Sequence, residues 1–431
     1  MSIRELFALK WWLWSVALAC LAQNPAAAQT QLNLWHGFIG VRAQALARLT
    51  DEFNASQTDY RVATTFKERA IVPTLIELHR AGRAPHMVHL DQASGQTLAT
   101  NRNLIRPVVQ QPARGHKAPQ YLPEIIEPSL DATGRMLSLP MGASSVALFV
   151  NRELLAKAGI DPDAGLPTWA KVQEAALKIL DSESSGCIFA SDRQAWTLVE
   201  NVLSLHDQDY LQNAGRFAQV SAMSFSNRLL IRHVGMLASW ESSGIFSYFG
   251  PHEEASERFA ASECAILAGP ASLYPRLSTS LGTRLGIMPL PIYDDLASPR
   301  GRSLSSGNGL WVFAGKSSKD NKGVDQYLTY LLRTDNQVRW HQWTGDPPVT
   351  REAYEITRKS GFYEKNPWVE IPIRAMRANI PGGKPMPQSP RIGRVREILD
   401  AELEAVWARH KTPKEALDDA SERGTRLLRG K

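Results

Sequence analysis

Short strand-like runs alternate with helix-spaced runs along most of this chain, and that alternation limits the folds open to it. Gln31 to Trp35 reads as a strand ending at His36 and Gly37. Val41 to Asn54 then carries Ala43, Leu46, Leu49 and Phe53 at helical spacing. Tyr60 to Phe66 alternates as a strand, Ile71 to Ala81 is helical, and Met87 to Leu90 is a strand again. The pattern resumes with a strand at Val146 to Val150, a helix from Glu153 to Ala158 ending at Gly159, and a helix from Trp169 to Leu180. Cys187 to Ala190, Cys264 to Ala268 and Gly309 to Ala314 follow as strands, Val324 to Leu332 as a helix, and a long amphipathic helix starts at Arg394. Strands and helices in this order imply βαβ units, so the expected class is α/β with a mainly parallel sheet. A single core stops growing near roughly 250–300 residues, so a chain of 431 should divide into two lobes. No repeat of about 20–50 residues is visible, which disfavours a solenoid or propeller.

Composition narrows the class of partner. At 43% hydrophobic and 21% charged the chain is ordinary globular protein. Its net charge of +6 is diffuse, with no run of five Lys or Arg, so a nucleic-acid groove is disfavoured. A basic balance suits an anionic ligand or an anionic surface.

The first 28 residues read as an address. Arg4 and Lys10 precede an apolar run from Trp11 to Ala22, and Ala26 to Ala28 supply small residues before a cleavable bond. The run falls short of the about 20 residues a membrane-crossing helix needs. Cleavage near Ala28 would export the mature chain to the periplasm. A lipid attachment at Cys20 is disfavoured, because Ala17 stands where such a signal wants Leu. Of the remaining cysteines, Cys187 and Cys264 lie in apolar, strand-like surroundings; an oxidising compartment allows them to pair, and burial as small hydrophobes is equally open.

Signatures of catalysis are missing. The chain has no H-E-x-x-H, P-loop or G-x-S-x-G pattern. Gly307 to Gly309 begins like a dinucleotide fingerprint, but Val312 occupies the third glycine position. His86 and His89, three apart on one strand, should face opposite sides, one buried and one exposed, and make a poor metal pair. These absences favour binding over chemistry.

Several segments together resemble the solute-binding proteins of ABC importers, in particular the glycerol-phosphate-binding branch. They are Trp35-His36, Phe53-Asn54, Ala81 to Pro85, Leu154 to Pro162, Glu257 to Phe259, Trp340 to Gln342, Pro348 to Thr350 and Gly361 to Pro367. The closing stretch from Glu402 through Trp407, Thr412-Pro413, Ala416-Leu417 and Glu422 to Gly424 fits as well. The resemblance spans the mature chain. It implies a two-lobed periplasmic-binding-protein fold with ligand in the interlobe cleft and closure by hinge bending. Crossovers are expected near Pro140 to Ala143 and near Ser303 to Gly307. The first lobe would then be 30–141 plus 308–350, and the second 142–307 plus 351–431.

The resemblance also implies site residues. Ser144 matches a ligand-binding serine, and Gly307 a glycine where backbone approaches ligand. Arg396 matches an arginine whose guanidinium fork suits a phosphate. Ser272 matches a second serine and Trp196 an aromatic wall. Elsewhere the chain departs from the pattern: Asp346 replaces a tyrosine, Gln92 a glutamate and Arg193 a tryptophan, while the loop at Arg69 is shorter and lacks a binding tyrosine. For each residue the bland alternative is a solvated surface group; for Asp346 it is also a pair with a neighbouring arginine.

The expected function is therefore capture of sn-glycerol 3-phosphate or a related polyol phosphate. The expected partners are two transmembrane permease subunits with a cytoplasmic ATPase dimer, and the free protein should be monomeric. A glycerophosphodiester or a sugar is the alternative ligand. A secreted glycoside hydrolase, using Asp91 and Asp346 as paired carboxylates, is a remote one. No catalytic residue, metal or cofactor is expected.

Overall fold

A computed structural model describes residues 29–68, 72–101, 103–108, 119–131, 133–212, 222–296, 301–377 and 391–429. The expected export signal, Cys20 and Arg69 lie outside them. Two sheets organise the chain. The first contains β1 (Thr30–His36), β2 (Tyr60–Phe66), β3 (Met87–Asp91), β4 (Ile105–Arg106), β5 (Ser138–Ser144) and β12 (Ser306–Phe313), in the order β2-β1-β3-β12-β4 with β5 also on β12. The second contains β6 (Val146–Asn151), β7 (Cys187–Ser191), β10 (Cys264–Pro270) and β11 (Leu285–Met288), in the order β11-β6-β10-β7. A short hairpin of β8 (Leu211–Gln212) and β9 (Ala222–Met223) stands apart.

The sheets are mixed, which corrects the expectation of a mainly parallel one. β1 pairs in parallel with β2 and β3, and β7 with β10. β12 runs antiparallel to β3, β4 and β5, and β6 runs antiparallel to β10 and β11. Parallel neighbours need a crossover helix, whereas β5, β6 and β12 are reached by chain that passes between lobes. β5, buried along its whole length, is a strand the sequence pattern did not reveal.

Both crossings lie at the ends of these antiparallel strands. Only Ser145, fully buried, separates β5 in the first sheet from β6 in the second. The return passes Ser303 and Leu304, held by Asn201, whose Oδ1 accepts from Ser303 Oγ (2.9 Å) and from Leu304 N–H (2.8 Å). The packing departs from the expected boundaries in two places. Gly142 to Ser144, together with Ser306 and Gly307 of β12, which pair with them, lie in the first sheet rather than at the two ends of a second-lobe segment. Helices Arg351–Lys359 and Pro367–Met376 share an apolar cluster with Leu122, Ile125 and Ala143, so 351–376 leans on first-lobe elements as well. Strand pairing decides the first and hydrophobic burial the second, where Tyr354, Val369 and Ile373 find apolar partners.

Each lobe has its own core. Leu32, Leu34, Leu46, Leu49, Phe53 and Tyr327 belong to the first, and Val146, Leu148, Trp169, Ile266, Leu399 and Leu403 to the second. Helix Ile392–Trp407 closes the second core from the far end of the sequence. Local signals set the helix starts. Thr168 caps Trp169–Asp181, and full capping boxes join Ser317 to Asp320 and Thr412 to Glu415.

Cys187 and Cys264 stand opposite each other on the parallel strands β7 and β10 and form a disulfide, which resolves the choice the sequence left open. The bridge closes a loop with a sequence separation of 77. Replacing both cysteines by serine should lower unfolding free energy by about 2–4 kcal/mol. Denaturant titration of the variant against the oxidised protein would measure it, and equal midpoints would show the bridge to be idle.

Candidate functional site

The antiparallel pairing of β5 with β12 gathers several of the expected residues at the crossing. Ser144 aligns with Ser306, Ala143 with Gly307 and Gly142 with Asn308. Ser144 Oγ accepts a hydrogen bond from the Ser272 N–H at 3.0 Å, so two expected serines meet across the lobe boundary. Ser272 lies in the turn Ala271–Leu273 that follows β10, and the neighbouring Ala271 N–H donates to the Ser145 carbonyl at 2.8 Å. A Cβ on Gly307 would stand 3.1 Å from the Gly142 carbonyl oxygen, tighter than most side chains tolerate, so the strands approach closely here.

Asp346 lies on the same floor, and it is not free. Arg42 grips it through two parallel hydrogen bonds, Nε to Oδ2 at 2.6 Å and Nη2 to Oδ1 at 2.9 Å. The Asp346 side chain is 5% exposed and that of Arg42 is 27% exposed. A Cβ on Gly142 would stand 2.9 Å from Asp346 Oδ1 and 3.0 Å from Asn308 Nδ2, so glycine there makes room for the carboxylate against the hinge strands. Gly345, with φ of 77°, turns the chain out of helix Thr334–Thr344 and presents Asp346. The Trp368 ring lies over Gly345 and stacks on Tyr274 at 4.1 Å between centroids, two residues beyond Ser272.

A second group forms in the second lobe. Arg396, on helix Ile392–Trp407, is bound by Glu200 in the same bidentate way, Nε to Oε1 at 2.6 Å and Nη2 to Oε2 at 2.9 Å. Glu200 is 2% exposed at the side chain and also accepts from Tyr210 Oη at 2.7 Å. It ends the π-helical turn Ala195–Glu200, next to the Asn201 that holds the return crossing. The expected phosphate fork therefore already has a carboxylate on one edge. Trp196 differs from an aromatic wall: it is 4% exposed and packed among second-lobe core residues. Arg193 has φ of 48° and extends outward to Glu253, 2.6 Å away. Gln92 opens the helix Gln92–Ala99 beside Asp91, which caps it, and donates to the Pro128 carbonyl and to Ser129 Oγ. Asp91 and Asp346 are both engaged, one as a helix cap and one as a salt-bridge partner.

Neither histidine of the His86–His89 pair is exposed, contrary to the expected alternation. His86 Nδ1 accepts from the Asn33 N–H, and His89 stacks on Phe38 at 3.8 Å. Burial pushes the His89 pKa down to about 4, so it is neutral at physiological pH.

Arg42 and Glu200 escaped the sequence reading, though each left a trace. A cation in the first turn of helix Gly40–Ser56 opposes the helix dipole and needs a compensating anion. Glu200 interrupts the apolar run Ala195 to Val202, and a buried charge needs a partner.

Asp400 faces the same turn and accepts from the Ala195 N–H at 2.9 Å. Burial, with Glu200 nearby, pushes its pKa up to about 6, while the Ala195 N–H and Arg396 pull the other way. The folded protein therefore keeps a proton that the unfolded chain has lost between about pH 4 and pH 6. This group's contribution to stability is most favourable below about pH 4 and declines as pH rises through 6. Asp400→Asn should stabilise the protein by up to about 2 kcal/mol at pH 8 and by nothing near pH 3.5. Melting temperatures at the two pH values check this, and an equal shift at both would refute the burial argument.

The sequence profile of bacterial extracellular solute-binding proteins matches residues 48–370. The sn-glycerol-3-phosphate-binding periplasmic protein UgpB of Yersinia pestis is 31% identical over 425 residues, covering 96% of both chains. Its namesake from Pectobacterium atrosepticum is 30% identical over 439 residues, covering 99% of this chain and 98% of the relative. Among solved structures, the cyclic alpha-maltosyl-1,6-maltose binding protein of Arthrobacter globiformis superposes with a TM-score of 0.75 at 18% identity, over 94% of this chain and 100% of that one. UgpB of Mycobacterium tuberculosis, in complex with glycerophosphocholine, gives 0.73 at 15% identity, over 94% and 99%. At such identities these two share the fold. Among the described residues no helix is long and apolar enough to cross a membrane.

Proposed function

Because this chain belongs to the bacterial extracellular solute-binding proteins, the substrate-binding components of ABC importers rather than enzymes, we propose that it captures sn-glycerol 3-phosphate or a related polyol phosphate. The meeting of Ser144, Ser272, Gly307 and Asp346 at the lobe crossing carries this reading. Hydroxyl, N–H and carboxylate groups in one place suit the oxygens of a polyol. Relatives about 30% identical over nearly their whole length are glycerol-phosphate binders by name, which supports the phosphate. Arg396 would take the anionic end through the guanidinium hydrogens that Glu200 leaves free. Arg193 and Gln92 would stand at the remaining rim.

Hinge bending at Ser145 and at Ser303-Leu304 would close the lobes over the ligand. In this reading the mature chain, cut near Ala28, works as a periplasmic monomer. It delivers its cargo to two transmembrane permease subunits driven by a cytoplasmic ATPase dimer. The Arg42–Asp346 pair favours a second ligand, a glycerophosphodiester, because it gives the floor no net charge.

Native mass spectrometry of protein purified without refolding should reveal a retained polyol phosphate, and a hexose mass would overturn the reading. Titration with that ligand should reduce the radius of gyration in solution scattering; an unchanged radius at saturation would remove hinge closure. Arg396→Lys keeps a charge for Glu200 but loses the fork. Since a hydrogen bond to a charged group is worth about 1.5–3 kcal/mol, the substitution should weaken binding about tenfold by calorimetry. Unchanged affinity would place Arg396 outside the site.

A further inference from the structure

We infer that Arg42 and Asp346 together determine specificity by setting the charge of the bound ligand, admitting a polyol phosphate with one negative charge and disfavouring one with two. The inference rests on the polyol-phosphate reading and narrows it. Asp346 stands at the floor of the crossing, against Gly142 and Asn308, one and two residues from the positions aligned with Gly307 and Ser144. Its carboxylate is almost completely withdrawn from water, and Arg42 matches it with a bidentate grip. A buried carboxylate without such a partner is strongly unfavourable, so the pair is a fixed, neutral feature of the floor.

The second arginine is cancelled in the same way, because Arg396 is held by the buried Glu200. The four groups of these two pairs, two of each sign, therefore sum to zero, and Asp400 beside the second pair adds only negative charge. Each guanidinium still has N–H groups to donate, so one phosphate charge can be met by hydrogen bonds. A phosphomonoester carries about −1.5 to −2 near pH 7, whereas a phosphodiester carries only about −1. The additional charge would enter a partly desolvated site beside Asp346 with nothing to offset it, and like charges in such a setting repel strongly. Arg42 touches Asp346 and acts through it as a positioning residue; in this reading Asp346 is the charge that the ligand's phosphate meets.

The test is a calorimetric series with three probes: maltose as a neutral polyol, glycerophosphoglycerol as a phosphodiester with one negative charge, and sn-glycerol 3-phosphate as a phosphomonoester. Wild type should prefer the diester to the monoester. Asp346→Asn keeps the shape, removes the charge and releases Arg42, so the ratio should swing toward the monoester by at least about tenfold. Arg42→Gln should move the ratio the opposite way. The double variant Arg42→Gln/Asp346→Asn restores neutrality and should return the ratio to near wild type, a reversal that simple structural damage would not produce. It also keeps the test decisive if either single variant fails to fold, because a double variant with a strongly shifted ratio contradicts charge control. A ratio unchanged in folded Asp346→Asn overturns the inference while leaving the polyol-phosphate reading intact. If wild type binds maltose alone, that reading falls, and the pair is then judged by Asp346→Asn: new monoester binding sustains charge control and its absence ends it. If wild type binds none of the three, both fall.

Discussion

The antiparallel contact between β5 and β12 sets the position of everything at the candidate site. It lays the outgoing crossing beside the return, so that Ser144 reaches Ser306 and Gly142 reaches Asn308. Ser145 is the only residue between the two sheets on the outgoing side. Backbone in such a place must be paired or it loses hydrogen bonds that water can no longer supply. The ladder meets that demand, along with Ser272 donating to Ser144 and Ala271 to the Ser145 carbonyl. The same ladder leaves Gly142 and Gly307 without side chains where a carboxylate and a carbonyl approach. A rigid floor with two neighbouring strand ends is the geometry a hinge requires.

Charge is arranged on this frame in cancelling pairs. Arg42 with Asp346, and Arg396 with Glu200, are both bidentate and both combine a half-exposed guanidinium with a buried carboxylate. Such pairs contribute little net stability, since desolvation offsets attraction, yet removing one partner is costly because it strands the other. Their use lies in fixing where hydrogen-bond donors point. Aromatic packing supplements them: Trp368 spans from Gly345 to Tyr274, linking the segment that presents Asp346 to the helix after Ser272.

Much of the architecture was legible in the residues. Helical spacing located Gly40–Ser56 and Trp169–Asp181 to within a residue or two, because each must bury one apolar stripe. Alternation located β2, and short strand-like runs located β1, β3 and β6. β5 was not legible: Leu139, Pro140, Met141, Gly142 and Ala143 are buried on both faces and show no alternation. The mixed direction of the sheets was hidden for a related reason, since strand direction depends on where a connection leads. At the site, the family resemblance pointed to Ser144, Ser272 and Asp346, but Trp196, expected as a wall, proved to be core, because an indole in an apolar helical run buries most area inward.

Sequence alone determined the two-lobed α/β class, the helix starts at capping residues and the presence of two cysteines able to bridge. Each of these follows from local periodicity, local hydrogen bonding or simple count. The tertiary structure decided that the cysteines do face each other across β7 and β10, and that residues 351–376 lean toward the first lobe. It also joined Arg42 to Asp346, 304 positions along the chain, and Arg396 to Glu200, 196 positions away. No local rule reaches that far: a carboxylate's partner is set by which backbones the folded cores bring within hydrogen-bonding distance.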